Sequence, residues 1–82
     1  MSGAFTVQVG AFRAKENAYR LAERLKSMQY PAEVLELNDS SHQFWYVVRV
    51  GKYENRSLAD STAAKLTSEK NLELKPIVYP SQ

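Results

Sequence analysis

The chain has 82 residues, 44% of them hydrophobic and 24% charged, with three Gly, three Pro and no Cys. Chains of roughly 60–150 residues bury about 60–70% of their unfolded surface, so this length holds one small core and not two. Without cysteine there is no disulfide staple, thiolate nucleophile or Cys-ligated zinc, and 11 basic against 9 acidic residues leave a net +2, interspersed rather than gathered into a duplex-binding stripe. No apolar run approaches the roughly 18 residues of a membrane span. Met1-Ser2-Gly3-Ala4 lacks the basic and apolar regions of a signal peptide, and reads as the start of a domain cut from a longer chain.

In chain order, Phe5, Val7 and Val9 alternate with Thr6 and Gln8, which predicts a strand with one buried face. Gly10 is expected to end that strand and turn the chain. Ala18, Leu21, Ala22, Leu25 and Met28 then recur at helical spacing and form one apolar stripe. Tyr30-Pro31 stops this helix, because proline disfavours helix in the residue before it. Glu33–Leu37 reads as a short strand, and Asn38–Gln43 as polar turn chemistry joining two antiparallel strands. In the third strand Tyr46, Val48 and Val50 oppose Trp45, Val47 and Arg49, with Gly51 expected to end it. Asn55 is a natural N-cap for a second helix carrying Ala59, Ala63 and Leu66. Glu73–Tyr79 predicts a last strand, and Pro76, unable to donate to a ladder, places it at an edge.

Shifting the sequence by 41 positions lays Phe5–Phe12 over Tyr46–Tyr53, Ala18 over Ala59, Ala22 over Ala63 and Leu25 over Leu66. Two copies of one supersecondary unit, about 5–37 and 46–79, are the implied organisation. The order β-α-β-β-α-β predicts an α+β, ferredoxin-like two-layer sandwich. Its four-stranded antiparallel sheet has the first and third strands central and both helices on one face. The other face stays open, and an open face on a small domain is a binding surface in waiting.

Catalysis finds little support. The single histidine, His42, lies in a polar turn with no triad partner, and neither it nor Asp39 shows metal-ligand spacing. Glu16, Arg20 and Arg24, spaced by four, read as a solvated helix face. Gly10 and Gly51 are solitary, so there is no phosphate loop. The expectation is a binding module without enzyme activity, cofactor or metal. On the open face Thr6, Gln8, Trp45, Val47 and Arg49 would point away from the helices. An aromatic platform beside an amide and a guanidinium suits a flat, polar-edged ligand, a sugar ring or a nucleobase. The plainer reading has Trp45 packing across the face on Val47 with Ile77 or Tyr79 as a small second cluster. Phe12 and Tyr53 read as core residues closing each strand–helix turn.

Phe5–Phe12, the helix with Ala18 and Leu25, and Trp45–Tyr53 together resemble a SPOR (sporulation-related repeat) domain, over about residues 3–79 taken as one domain. The resemblance implies a monomeric module, placed in the bacterial cell envelope or periplasm. It would bind peptidoglycan glycan strands stripped of stem peptides and target a larger envelope protein to the division septum. By position, the family's binding glutamine is Gln8 and its aromatic is Trp45. Ala11 stands where serine is frequent, and Val47 where arginine is common, with Arg49 two further on as a substitute. Ile77 is the apolar candidate on the last strand, and Thr6 shares the outward face. Gln29 stands where the family often has a helix-capping glycine. Two rivals remain. A sheet-face single-stranded RNA binder of the RRM kind would use the same plan, and a protein-interaction module would add a strand at an exposed edge. Nucleic acid is the less expected partner, since Thr6 and Gln8 replace the aromatics that such a binder needs on its first strand.

Overall fold

The computed structural model describes residues 3–69 and 72–80. Six elements follow in order: β1 (Phe5–Phe12), α1 (Lys15–Ser27), β2 (Ala32–Asn38), β3 (Phe44–Tyr53), α2 (Arg56–Thr67) and β4 (Ile77–Pro80). The strands form one antiparallel sheet in the order β2-β3-β1-β4, with β1 and β3 central. This is the expected β-α-β-β-α-β sandwich. The last strand is shorter than its apolar stretch suggested, because Pro76 lies just before it and only Ile77–Pro80 join the ladder.

Alternation puts Val7, Val9, Val48 and Val50 under the helices, where they pack with Ala18, Ala22, Leu25, Ala32, Ala59 and Leu66. Alanines at the helix–sheet contact let both helices lie close on the strands, and Leu25 and Leu66 fill the space between layers. Truncating either leucine to alanine would cost about 2–5 kcal/mol, the usual range for a buried large-to-small change.

The two glycines do not end their strands. Each sits inside one, at a bulge. Between Gln8 and Gly10, β1 carries one residue more than β3, and between Val50 and Tyr53, β3 carries one more than β1. A bulge shifts the alternation by one, so Phe12 and Tyr53 return to the core side and pack against it. Each ring then lies over the glycine two residues earlier. A Cβ on Gly10 would come within 2.9 Å of the Phe12 ring, and one on Gly51 would collide with Tyr53. Gly51 also has φ +69°, in the left-handed region.

The helix ends differ in how well they are closed. Asn55 caps α2 by accepting the Leu58 N–H at 3.0 Å, whereas Ala14, at the equivalent position of α1, has no side-chain cap. The C-terminus of α1 closes through paired bonds, Gln29 N–H to Lys26 O at 2.9 Å and Tyr30 N–H to Leu25 O at 3.0 Å. That is the Schellman arrangement. It forces Gln29 to φ +70°, where a side chain is strained. Ala14→Asn should therefore raise stability by about 1 kcal/mol in denaturant unfolding. Gln29→Gly should add about 0.5–1 kcal/mol by relieving the left-handed residue, and Gln29→Ala, still carrying a Cβ, should add nothing comparable.

Candidate functional site

Register across the open face arranges the candidate residues in rows. Glu33, Arg49, Gln8 and Ile77 stand side by side on the four strands. The next row is Leu35, Val47 and Ala11, and the one beyond it Leu37 and Trp45. Ala11 belongs here only because of the β1 bulge. Strict alternation from Gln8 would send a residue three further on to the helix side.

These residues differ in what they offer. Thr6 and Val47 lie on this face yet are only 3% and 4% exposed. The Thr6 hydroxyl donates to the Gly51 carbonyl at 2.7 Å, which ties the face to the β3 bulge. Both residues brace the surface, and the expectation that they contact a ligand narrows accordingly. Gln8, Trp45 and Arg49 are half-buried, and Ala11 and Ile77 exposed. A shallow hollow of about 340 Å³ opens among Gln8, Ala11, Leu37, Asn38, Asp39, Trp45 and Val47. Trp45 meets Val47 there, but Ile77 and Tyr79 do not line it, so the small second cluster extends only part-way. A larger hollow of about 570 Å³ lies on the helical side, between α1 and the 72–75 segment. It contains none of the candidate residues.

Arg49 is unpaired. Among the described residues no carboxylate lies within ion-pair distance of it, although Glu33 is its cross-strand neighbour. Its Nε is buried without a hydrogen-bond partner. With Nε closed to solvent, contact with an incoming acceptor would fall to the Nη groups.

Two residues around Trp45 escaped the sequence reading. Asp39, which shows no metal-ligand spacing, organises the β2–β3 turn. Its Oδ1 accepts from Ser41 N at 2.9 Å, Ser41 Oγ at 2.7 Å and Gln43 N at 3.1 Å. Its Oδ2 accepts from Trp45 Nε1 at 2.9 Å. Arg13 is the second. Phe12 pairs with Tyr46, which brings Arg13 beside Trp45, and its guanidinium sits over the indole, 5.2 Å from the ring centroid. Its Nη1 also donates to Gln43 Oε1 at 2.6 Å. A turn aspartate six residues before a strand tryptophan was the only trace in the sequence. His42 is exposed, at φ +65° in the same turn.

A family model described as SPOR domain matches residues 2–80. The chain belongs to the SPOR domain family. Two solved structures share its architecture. The solution structure of the peptidoglycan binding domain of the B. subtilis cell wall lytic enzyme CwlC is 31% identical. The match covers 95% of this chain and 89% of that one, with a TM-score of 0.71. The crystal structure of the RlpA SPOR domain from Pseudomonas aeruginosa is 22% identical, covering 92% and 96%, with a TM-score of 0.73. No curated protein sequence matches significantly. Among the described residues of this SPOR domain no helix is long and apolar enough to cross a membrane. Among the described residues no group of three or more His, Cys, Asp or Glu side chains could hold a metal ion.

The Trp45 hydrogen bond, followed by the Ser41 and Gln43 bonds, holds the Asp39 carboxyl well below the usual carboxylate range. A depressed folded-state pKa contributes stability that is complete above the unfolded value near ~3.9 and is lost as pH falls through the folded one. In an acid titration followed by indole N–H NMR, the Trp45 signal should hold its position down to about pH 4 and move only in stronger acid. A shift centred at the ordinary aspartate value would mean that Asp39 is not held this way.

Proposed function

We propose that this SPOR domain is a non-catalytic module that binds the glycan strands of peptidoglycan, preferring stretches without stem peptides. The observation that carries this reading is the hollow beside Trp45 on the sheet face that no helix covers, with Gln8 and Ala11 at its wall. A sugar presents one apolar C–H face and a rim of hydroxyls and amides. An indole supplies area for the first, and a carboxamide supplies both donor and acceptor for the second. Arg49, without a carboxylate partner among the described residues, suits the lactyl carboxylate freed when a stem peptide is removed. Gln8 separates Arg49 from Ile77 along one row, so an extended polymer would meet a donor, an amide and an apolar side chain in succession. The CwlC domain, a peptidoglycan binding domain by its description and 31% identical to this one, supports the same class of ligand.

Affinity in this scheme comes from several modest contacts along a strand, and the small net charge of +2 suits a polymer with sparse carboxylates. A module of this kind targets a larger protein to the cell envelope, and on the Gram-negative plan to the periplasm, wherever peptide-free glycan accumulates, as at a division septum. It works as a monomer, since the face itself holds the contacts.

Amide chemical-shift titration tests the proposal with three ligands: peptide-free glycan strands, strands bearing stem peptides, and single-stranded RNA. Shifts gathered on Gln8–Ala11 and Trp45–Arg49 with peptide-free glycan, weaker with substituted strands and absent with RNA, are expected. Shifts with RNA alone, weakening steeply with salt, would favour the nucleic-acid rival. Trp45→Ala should lower glycan affinity about tenfold or more while leaving the fold intact, because stacking residues of this kind contribute roughly 1–3 kcal/mol. An unfolded Trp45→Ala domain would instead assign the ring to the core.

A further inference from the structure

Trp45 is the only tryptophan of the chain, and two of its three approaches are already taken. Its sole hydrogen-bond donor, Nε1–H, is committed to Asp39 Oδ2 at 2.9 Å. One ring face lies under the Arg13 guanidinium, which is itself steadied by Gln43 Oε1 at 2.6 Å. Arg13 does not line the hollow that Trp45 shares with Gln8, Ala11 and Val47. A planar ring has two faces, so only one is left for a ligand. Asp39 and Gln43 belong to the same turn, closed by Asp39 N–H to Gln43 O at 3.0 Å, so edge and covered face are held from one place.

We infer that Asp39 and Arg13 are positioning residues that lock Trp45 as a one-faced stacking platform. The sugar unit bound there is then gripped through its C–H face, with no hydrogen bond to the indole. This rests on the proposed glycan function and adds to it. Hydrogen-bond selectivity at this subsite falls to the other polar side chains of the hollow, Gln8 and Asn38, while the β2–β3 turn decides whether the platform is presented at all. The cost of orienting a free side chain on binding has already been met in the unliganded domain.

Asp39→Asn separates the turn from the tryptophan. The asparagine Oδ1 keeps the three bonds from Ser41 and Gln43, whereas its Nδ2 donates and cannot accept from Nε1–H. Unchanged amide shifts at Ser41 and Gln43 would verify that the turn survives. Before any ligand is added, the indole N–H resonance of D39N should then move upfield. With peptide-free glycan strands, D39N should bind about fivefold more weakly, the scale of one lost orienting hydrogen bond. Trp45→Phe keeps a ring face and has no N–H, so it should bind better than Trp45→Ala. In a double-mutant cycle, D39N should weaken the Trp45→Phe domain no further, because Asp39 acts only through Nε1–H. Arg13→Ala should raise acrylamide quenching of the indole by uncovering its second face.

An equal loss from D39N in the Trp45→Phe background would overturn the inference, since Asp39 would then act through the turn or touch the ligand itself. An unchanged indole signal in D39N would overturn it as well. Wild-type domain that binds no glycan strand would overturn the functional proposal instead, while the unliganded indole shift and the quenching measurement would still decide how Trp45 is held.

Discussion

A bulge in each central strand governs what both faces of this sheet can present. A regular strand alternates, so a residue's side is set by counting. One extra residue near Gly10, and another near Gly51, resets the count at the far end of β1 and of β3. Phe12 and Tyr53 swing under the helices and pack against the core. On the other side the same reset brings Ala11 into line with Val47 and Arg13 beside Trp45. Core closure at Phe12 and the placing of Ala11 and Arg13 therefore share the β1 bulge. The glycines permit it, since a Cβ at either position would press on the aromatic ring two residues later.

The open face is built as a braced surface with a few protruding groups. Thr6 and Val47 are nearly closed to solvent on a face that no helix covers, which keeps the sheet's exposed side from becoming a large apolar patch. Gln8 and Arg49 rise from the middle of the face, and Trp45 stands at its end, where β3 emerges from the turn. A rigid floor with a few polar groups around one aromatic is a common design for small-ligand recognition. The strands that hold the core carry the candidate site on their reverse side.

Charge works locally. The two ion pairs among the described residues, Glu23–Lys26 and Arg56–Asp60, are exposed helix pairs of adjacent turns, worth little individually. The charges that matter on the open face are differently used. Asp39 is saturated with donors, Arg13 is stacked on a ring, and Arg49 lacks an ion-pair partner among the described residues. The first two fix geometry. The third is the cation on which the proposed contact with a ligand carboxylate rests.

The six elements and their order were legible in the sequence, because each rests on local periodicity: alternating valines for β1 and β3, and Ala18, Ala22, Ala59 and Leu66 at helical spacing for the helices. The open face was legible for the same reason, since Gln8, Trp45 and Arg49 follow from parity along short uninterrupted stretches. Three things were not. The glycines looked like strand ends, because a lone glycine signals a turn and a bulge equally well, and only pairing with a neighbouring strand reveals the extra residue. Thr6 and Val47 looked available, because parity gives a direction and not the depth at which neighbouring strands bury a small side chain. Asp39 and Arg13 looked unrelated to Trp45, lying six and 32 positions away. By itself, the sequence determined which elements form, in what order, and which way their residues point as far as each bulge. Tertiary structure decided which of them meet, because the contacts that hold Trp45 run between strands and through a turn, where distance along the chain carries no information about distance in space.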